Sequence, residues 1–235
     1  MVVVSFCSTP QSKSQPIQIT APCMSDPCEA VYWNENHFLF RHPLFPLCDI
    51  IGTFRWKYCP DIGNVFEITY MDYAYGASTD CTNLKNWLNA DRSRIGQLYD
   101  LAVESTAKYW FRNNMYYGDT VFCPAPNSSA SMTSYQAKCN SFCFYEDVVN
   151  AHMIVVPKKC TSTTCCKVTR NLCWDKATQT IVETKTVISL GTDGDCTISS
   201  VACSAFITRS NLTGIETHQV PLDWAEDCVI SGACQ

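Results

Sequence analysis

The chain has 235 residues, a formal net charge of −5 and a sequence pI near 5.3, which excludes the clustered Lys and Arg surface that a nucleic-acid partner needs. It has no run of about 18 apolar residues, so no helical membrane span is expected, yet 46% of its residues are apolar, enough to build one or two cores. Seventeen cysteines in so short a chain point to an oxidising, extracellular or cell-surface location where thiols become staples.

The opening Val2-Val3-Val4-Ser5-Phe6 has no basic region and too short an apolar run for a signal peptide, and reads as a β-strand. Residues 8–30, rich in Ser, Pro and Gln, complete an irregular N-terminal arm. From Val31 to Tyr75, large apolar and polar residues alternate over Phe38-Leu39-Phe40, Thr53–Tyr58 and Val65–Tyr70, the period of half-buried strands. Pro60-Asp61-Ile62-Gly63-Asn64 supplies a turn between the last two.

Leu84, Trp87, Leu88, Ile95, Leu98, Ala102 and Tyr109 then recur every three or four residues, so a helical insertion is expected over about 83–112. Asp91-Arg92 is placed to split it. Residues 123–134, dominated by Ser, Pro and Ala, read as a linker. Strands return at Ile154–Val156, Lys167–Arg170, Thr180–Val187 and Ala205–Ile207. The expected organisation is an N-terminal arm (1–30), a β module carrying the helical insertion (31–122), the linker, and a second Cys-rich β module (135–235). The fold class is mainly β with one long helical insertion, built as disulfide-stapled, β-sandwich-like modules.

The two modules echo each other. Trp56-x-Tyr58-Cys59-x-Asp61, a strand and Asp80-Cys81 parallel Arg170-x-Leu172-Cys173-Trp174-Asp175, a strand and Asp195-Cys196. The spacing suggests a hairpin whose far loop is stapled back to its turn, making Cys59, Cys81, Cys173 and Cys196 disulfide candidates, with Cys160, Cys165 and Cys166 beside them. Connectivity stays open at this level. An odd count leaves at least one thiol for another chain, with Cys7 and Cys234 as the terminal candidates.

A metal site needs tight cysteine pairs with histidines at ligand spacing, and the closest pairs, Cys139/Cys143, Cys23/Cys28 and Cys160/Cys165, have none. His37, His42, His152 and His218 lie in no nucleophile context, and His37 and His42 fall on opposite faces of a strand. Glu67 and Asp72 flank an aromatic strand and are the one carboxylate pair suited to glycoside chemistry. Gly191-Thr192-Asp193-Gly194-Asp195 is too short for a calcium loop, and Asn127 and Asn211 open sequons. No catalytic residue, metal or cofactor is assigned.

Cys160-Thr161-Ser162-Thr163-Thr164-Cys165-Cys166-Lys167-Val168, followed by Leu172-Cys173, Asp175 and Cys196, resembles Cys-rich exported proteins of the Bacteroidota and their relatives, linked to type IX secretion and gliding. The resemblance implies bacterial export and a surface or appendage role. The expected function is therefore an extracellular structural protein, a self-assembling subunit of a filament, sheath or appendage. Its partners would be other copies of itself, joined by strand addition through Val2, Val3 and Val4 and by the leftover thiol. Two alternatives stand beside it: a module that binds or cleaves surface glycans by stacking sugars on Trp33, Trp56, Tyr70, Tyr73 and Tyr75, and a virion surface protein.

Overall fold

The computed structural model describes residues 28, 31–114, 121–123, 130–147, 150–160, 165–190 and 203, and the backbone of four short strands beyond them. Apart from Cys28, the N-terminal arm lies outside the described residues, as do the acidic loop 191–195 and both sequons.

Alternation produces strands where it was expected. β1 (Asn34–His42), β2 (Phe45–Cys59) and β3 (Gly63–Ala74) form an antiparallel meander. Phe38, Phe40, Ile50, Phe54 and Phe66 enter the core, whereas the intervening Glu35, His37, Leu39 and Arg55 take the outer face. Phe38 is paired across from Gly52, and its ring fills the glycine's missing side chain: a β-carbon there would meet Phe38 Cε1 at 2.3 Å. At the β2–β3 turn Gly63 takes a φ of +89°, which a β-carbon disfavours.

β3 carries a bulge. Ile68 pairs with Phe54 but Tyr70 pairs with Thr53, leaving Thr69 as the extra residue, and its hydroxyl donates to the Thr53 carbonyl at 3.0 Å. The bulge moves the core-facing positions from Phe66 and Ile68 to Met71 and Tyr73. Glu67, Tyr70 and Asp72 thereby share the outer face.

The helical insertion is α1 (Thr79–Ala90), a 3-10 turn at Arg92–Arg94, and α2 (Ile95–Asn114). It starts earlier than the apolar spacing suggests because Ser78 caps it, its Oγ accepting from the Cys81 N–H at 3.1 Å. The break falls at Asp91, whose carboxylate accepts from the Ser93 N–H at 3.1 Å. Leu84 and Leu88 of α1 and Leu98, Ala102, Val103, Ala107, Trp110 and Phe111 of α2 pack onto the inner face of the sheet.

After the helices come β4 (Ala130–Ala137), β5 (Cys139–Asp147), β6 (His152–Lys159), β7 (Cys165–Asp175) and β8 (Thr180–Leu190). Residues 130–134, expected in the linker, belong instead to β4. Their hydroxyls, which make the stretch read as loop, pair across the ladder: Ser131 Oγ donates to Asn171 Oδ1 at 2.5 Å and Thr133 meets Thr169 at 3.3 Å. β9 (Phe206–Arg209) and β10 (Glu216–Gln219) form a separate two-stranded sheet, and β11 (Pro221–Ala225) and β12 (Val229–Ile230) add to β5.

The main sheet forks at β3. The first part of β3 runs parallel to β4 through Asn64–Met132 and Val65–Thr133, whereas Met71–Ala74 pair antiparallel with β6. One branch is β4-β7-β8 and the other β6-β5-β11. Both β segments thus share one mixed sheet, and Met132, Phe142, Phe144, Val155 and Leu172 join the same core as the helices and β1–β3. A smaller cluster of Cys143, Tyr145, Ile154 and Val156 covers the outer face, with Tyr70 and Cys203 against it.

Candidate functional site

The cysteines are a framework, but not the one the repeat suggests. Cys59 bonds Cys28 and Cys173 bonds Cys123, both outside the hairpins, while Cys81 bonds Cys48 within β2 rather than Cys59 at the turn. Cys143–Cys203 is a fourth bridge, and Cys139, Cys160, Cys165 and Cys166 are also disulfide-bonded. All 12 cysteines among the described residues are therefore in disulfides. With 17 in the chain, the thiol left by the odd count is one of Cys7, Cys23, Cys196, Cys228 and Cys234, which with Val2, Val3 and Val4 lie outside the described residues.

The five aromatic candidates are divided between the two faces. On the outer face Trp33 lies under two cations, Arg55 at 4.6 Å and Lys57 at 4.4 Å from its ring centre, and Tyr70 packs against the small outer cluster. On the helix side Trp56 stacks edge-on against Trp110, Tyr73 is 2% exposed within the core, and Tyr75 lies 3.7 Å below the Lys85 ammonium.

Each carboxylate of the glycoside pair has its own partner within the protein. Glu67 accepts from Arg55 at 2.6 Å and lies 3.6 Å from Lys159. Asp72 meets His152 Nδ1 at 3.0 Å. Burial pushes the Asp72 carboxyl above its ordinary range, and the neighbouring His152 pulls it part of the way back. His37 is exposed and meets Thr53 Oγ1 at 2.8 Å, whereas His42 is buried between Phe45 and Trp87. Among the described residues no three His, Cys, Asp or Glu side chains group as metal ligands.

Two features not singled out from the sequence carry more chemistry. The first is a cleft of about 760 Å³ between α2 and the β7–β8 hairpin. Gln97, Asp100, Leu101, Glu104 and Lys108 recur along one stripe of α2 and face Arg170 of β7 and Ile181, Glu183 and Lys185 of β8. Arg170 donates to Glu183, whose other oxygen lies 4.0 Å from Lys108 Nζ, and Lys108 in turn is 2.5 Å from Glu104. The Arg170 side chain is only 7% exposed, and its Nε is buried with no hydrogen-bond partner. The sequence signal for this site was an arginine on the buried side of an alternating strand, between Val168 and Leu172.

The second feature is the edge of the β4-β7-β8 branch. Among the described residues β8 pairs only with β7. Its outer positions, Thr180, Val182, Thr184, Thr186, Ile188 and Leu190, carry no charge, and Val182 and Ile188 are 40% and 50% exposed. An edge strand whose outer face carries no charge is a template for another strand. No helix among the described residues is long and apolar enough to cross a membrane. No protein-family model, curated protein or solved structure matches the chain.

Proposed function

We propose that this chain is an extracellular structural protein, a self-assembling subunit of a bacterial surface filament, sheath or appendage. The observation that carries the reading is β8: 11 residues long, at the sheet edge among the described residues, with an uncharged and partly apolar outer face. Monomeric proteins often blunt such strands with prolines or outward charges, and Thr180–Leu190 contains no proline and carries its two charges, Glu183 and Lys185, on the helix-facing side. A disulfide framework suits a subunit outside the cytoplasm, since it keeps the fold intact without chaperones or a reducing buffer. Addition of a second copy's Val2–Val4 segment to β8 would be heterologous, and a heterologous contact that does not close on itself propagates as a fibre.

The test is light scattering and negative-stain microscopy on the full chain and on Val182→Lys with Ile188→Lys. The wild type should form concentration-dependent assemblies and the double variant should remain monomeric with an unchanged far-UV spectrum. A wild type that stays monomeric up to millimolar concentration refutes the proposal, as does a double variant that assembles equally well. Gels run without reductant report the second contact: a covalent dimer should appear and should vanish when Cys7 or Cys234 is replaced.

A further inference from the structure

We propose that the tip of the β1–β2 hairpin docks onto a zwitterionic lipid surface through Leu44 and Leu47. Eight large apolar residues are exposed among the described residues, and four of them, Leu39, Leu44, Leu47 and Ile51, belong to this one hairpin. Scattered singly, such residues need no explanation, but a cluster does. Leu44, 64% exposed, sits in the turn and Leu47, 72% exposed, just past it, whereas Leu39 and Ile51 pair further down the ladder.

The backbone of the tip decides what can cover it. A protein groove offers donors and acceptors to the segment it receives. The apolar layer of a bilayer offers none, so whatever enters must bring its backbone groups already satisfied. Pro43 and Pro46 have no N–H, Leu44 N–H donates to His42 Nδ1 at 3.2 Å, and Leu47 N–H donates to Asp80 at 2.8 Å. Four of the five positions from Pro43 to Leu47 thus present no free N–H. The Leu47 carbonyl accepts from Ser78 Oγ at 3.1 Å. The tip is also braced from behind: Cys48 is bonded to Cys81, and His42 and Phe45 pack on Trp87 of α1. Both leucines are therefore held outward before any contact, and docking orders little chain.

Charge sets the depth and the kind of lipid. Next along the outer face come Arg41 and Asp49, both exposed and paired at 2.6 Å. One cation beside one anion complements a headgroup that carries one of each, such as phosphocholine or phosphoethanolamine. Asp80 is the other charge at the tip, and it lies in the first turn of α1, where the helix dipole offsets it. These groups stay at headgroup level, so only Leu44 and Leu47 enter the apolar layer. Strand addition at β8, on a different branch of the sheet, plays no part in this contact.

Flotation with phosphatidylcholine vesicles is the test, run on Val182→Lys with Ile188→Lys so that assembly through β8 does not contribute. At millimolar lipid this chain should rise with the vesicles, and added salt should leave the partition unchanged. Leu44→Ser and Leu47→Ser should each weaken it about tenfold, the loss expected for an exposed leucine that becomes buried, with no change in thermal midpoint. Leu44→Phe should strengthen it. No flotation even at the highest lipid concentration overturns the proposal, and equal flotation of the Leu44→Ser, Leu47→Ser double variant overturns the placement. Binding that appears only when phosphatidylserine is added overturns the headgroup assignment. If the two serines abolish self-association of the otherwise wild-type chain and no vesicle binding is seen, the tip belongs to a second copy and the lipid is excluded.

Discussion

Removing the Cys48–Cys81 bridge is the sharpest test of how this fold is held. The bridge closes a 33-residue segment and joins the start of α1 to β2. For a loop of that length the chain-entropy relation gives about 3.7 kcal/mol of stabilisation at 25 °C, acting by restricting the unfolded chain. Cys48 and Cys81 are 0% and 2% exposed, so replacing both by alanine also removes buried sulfur, a loss of the same sign. What remains at that junction is weak: Leu47 N–H donates to Asp80 at 2.8 Å and Ser78 Oγ to the Leu47 carbonyl at 3.1 Å, both at the surface. Each contributes about 1 kcal/mol. The assay is guanidinium unfolding without reductant, followed by tryptophan fluorescence, because Trp87 of α1 packs against His42 and Phe45 beside the bridge. The variant should lose about 4 kcal/mol, with a larger denaturant slope as its unfolded state expands. A loss below about 1 kcal/mol would refute the reasoning, because the loop would then already be restricted in the unfolded chain.

Gly52→Ala should cost about 1–3 kcal/mol, since the new methyl falls on the Phe38 ring, and adding Phe38→Leu should recover part of it; additive losses in a double-mutant cycle would contradict the contact. His42 is held below its ordinary value by burial, so the unfolded chain binds the proton more readily and stability falls as pH drops below about 6.5. His42→Asn should lose less thermal midpoint than the wild type between about pH 7.5 and 5.5, and parallel curves for the two would exclude His42 as the cause.

The sequence shows its strands wherever one face is apolar and the other wet, as at Phe38-Leu39-Phe40 and Val65–Tyr70, because period two is a local property. The helix break was legible for the same reason: Asp91 caps its neighbour two residues on. Non-local facts were hidden. Nothing in Thr69 announces a bulge, since the extra residue exists only relative to β2, yet it decides that Glu67 and Asp72 share a face. Ser131 and Thr133 read as loop until Asn171 and Thr169 arrive opposite them. The staples failed to follow the hairpin repeat because Cys28 and Cys123 come from chain outside the hairpins and Cys48 from the far end of β2, which the Cys59–Cys81 and Cys173–Cys196 spacing cannot report. Arg170 and Glu183 are far apart in sequence and meet only through the β7–β8 register, so the cleft was legible at most as a misplaced charge.

The fork at β3 has a mechanical consequence. Tension applied between β1 and β8 reaches the β4-β7-β8 branch through a joint of two residue pairs, Asn64–Met132 and Val65–Thr133, supported by Asn64 Nδ2 donating to the Ser131 carbonyl at 3.3 Å. The ladders on either side are far longer: β2 pairs with β3 from Ile50 to Cys59, and β7 with β8 along all 11 residues of each strand. The short joint is backed by other ties: Met132 and Leu172 sit in the core shared with the helices, the Cys123–Cys173 bridge fastens β7 to the chain after α2, and Lys108 lies between Glu104 and Glu183.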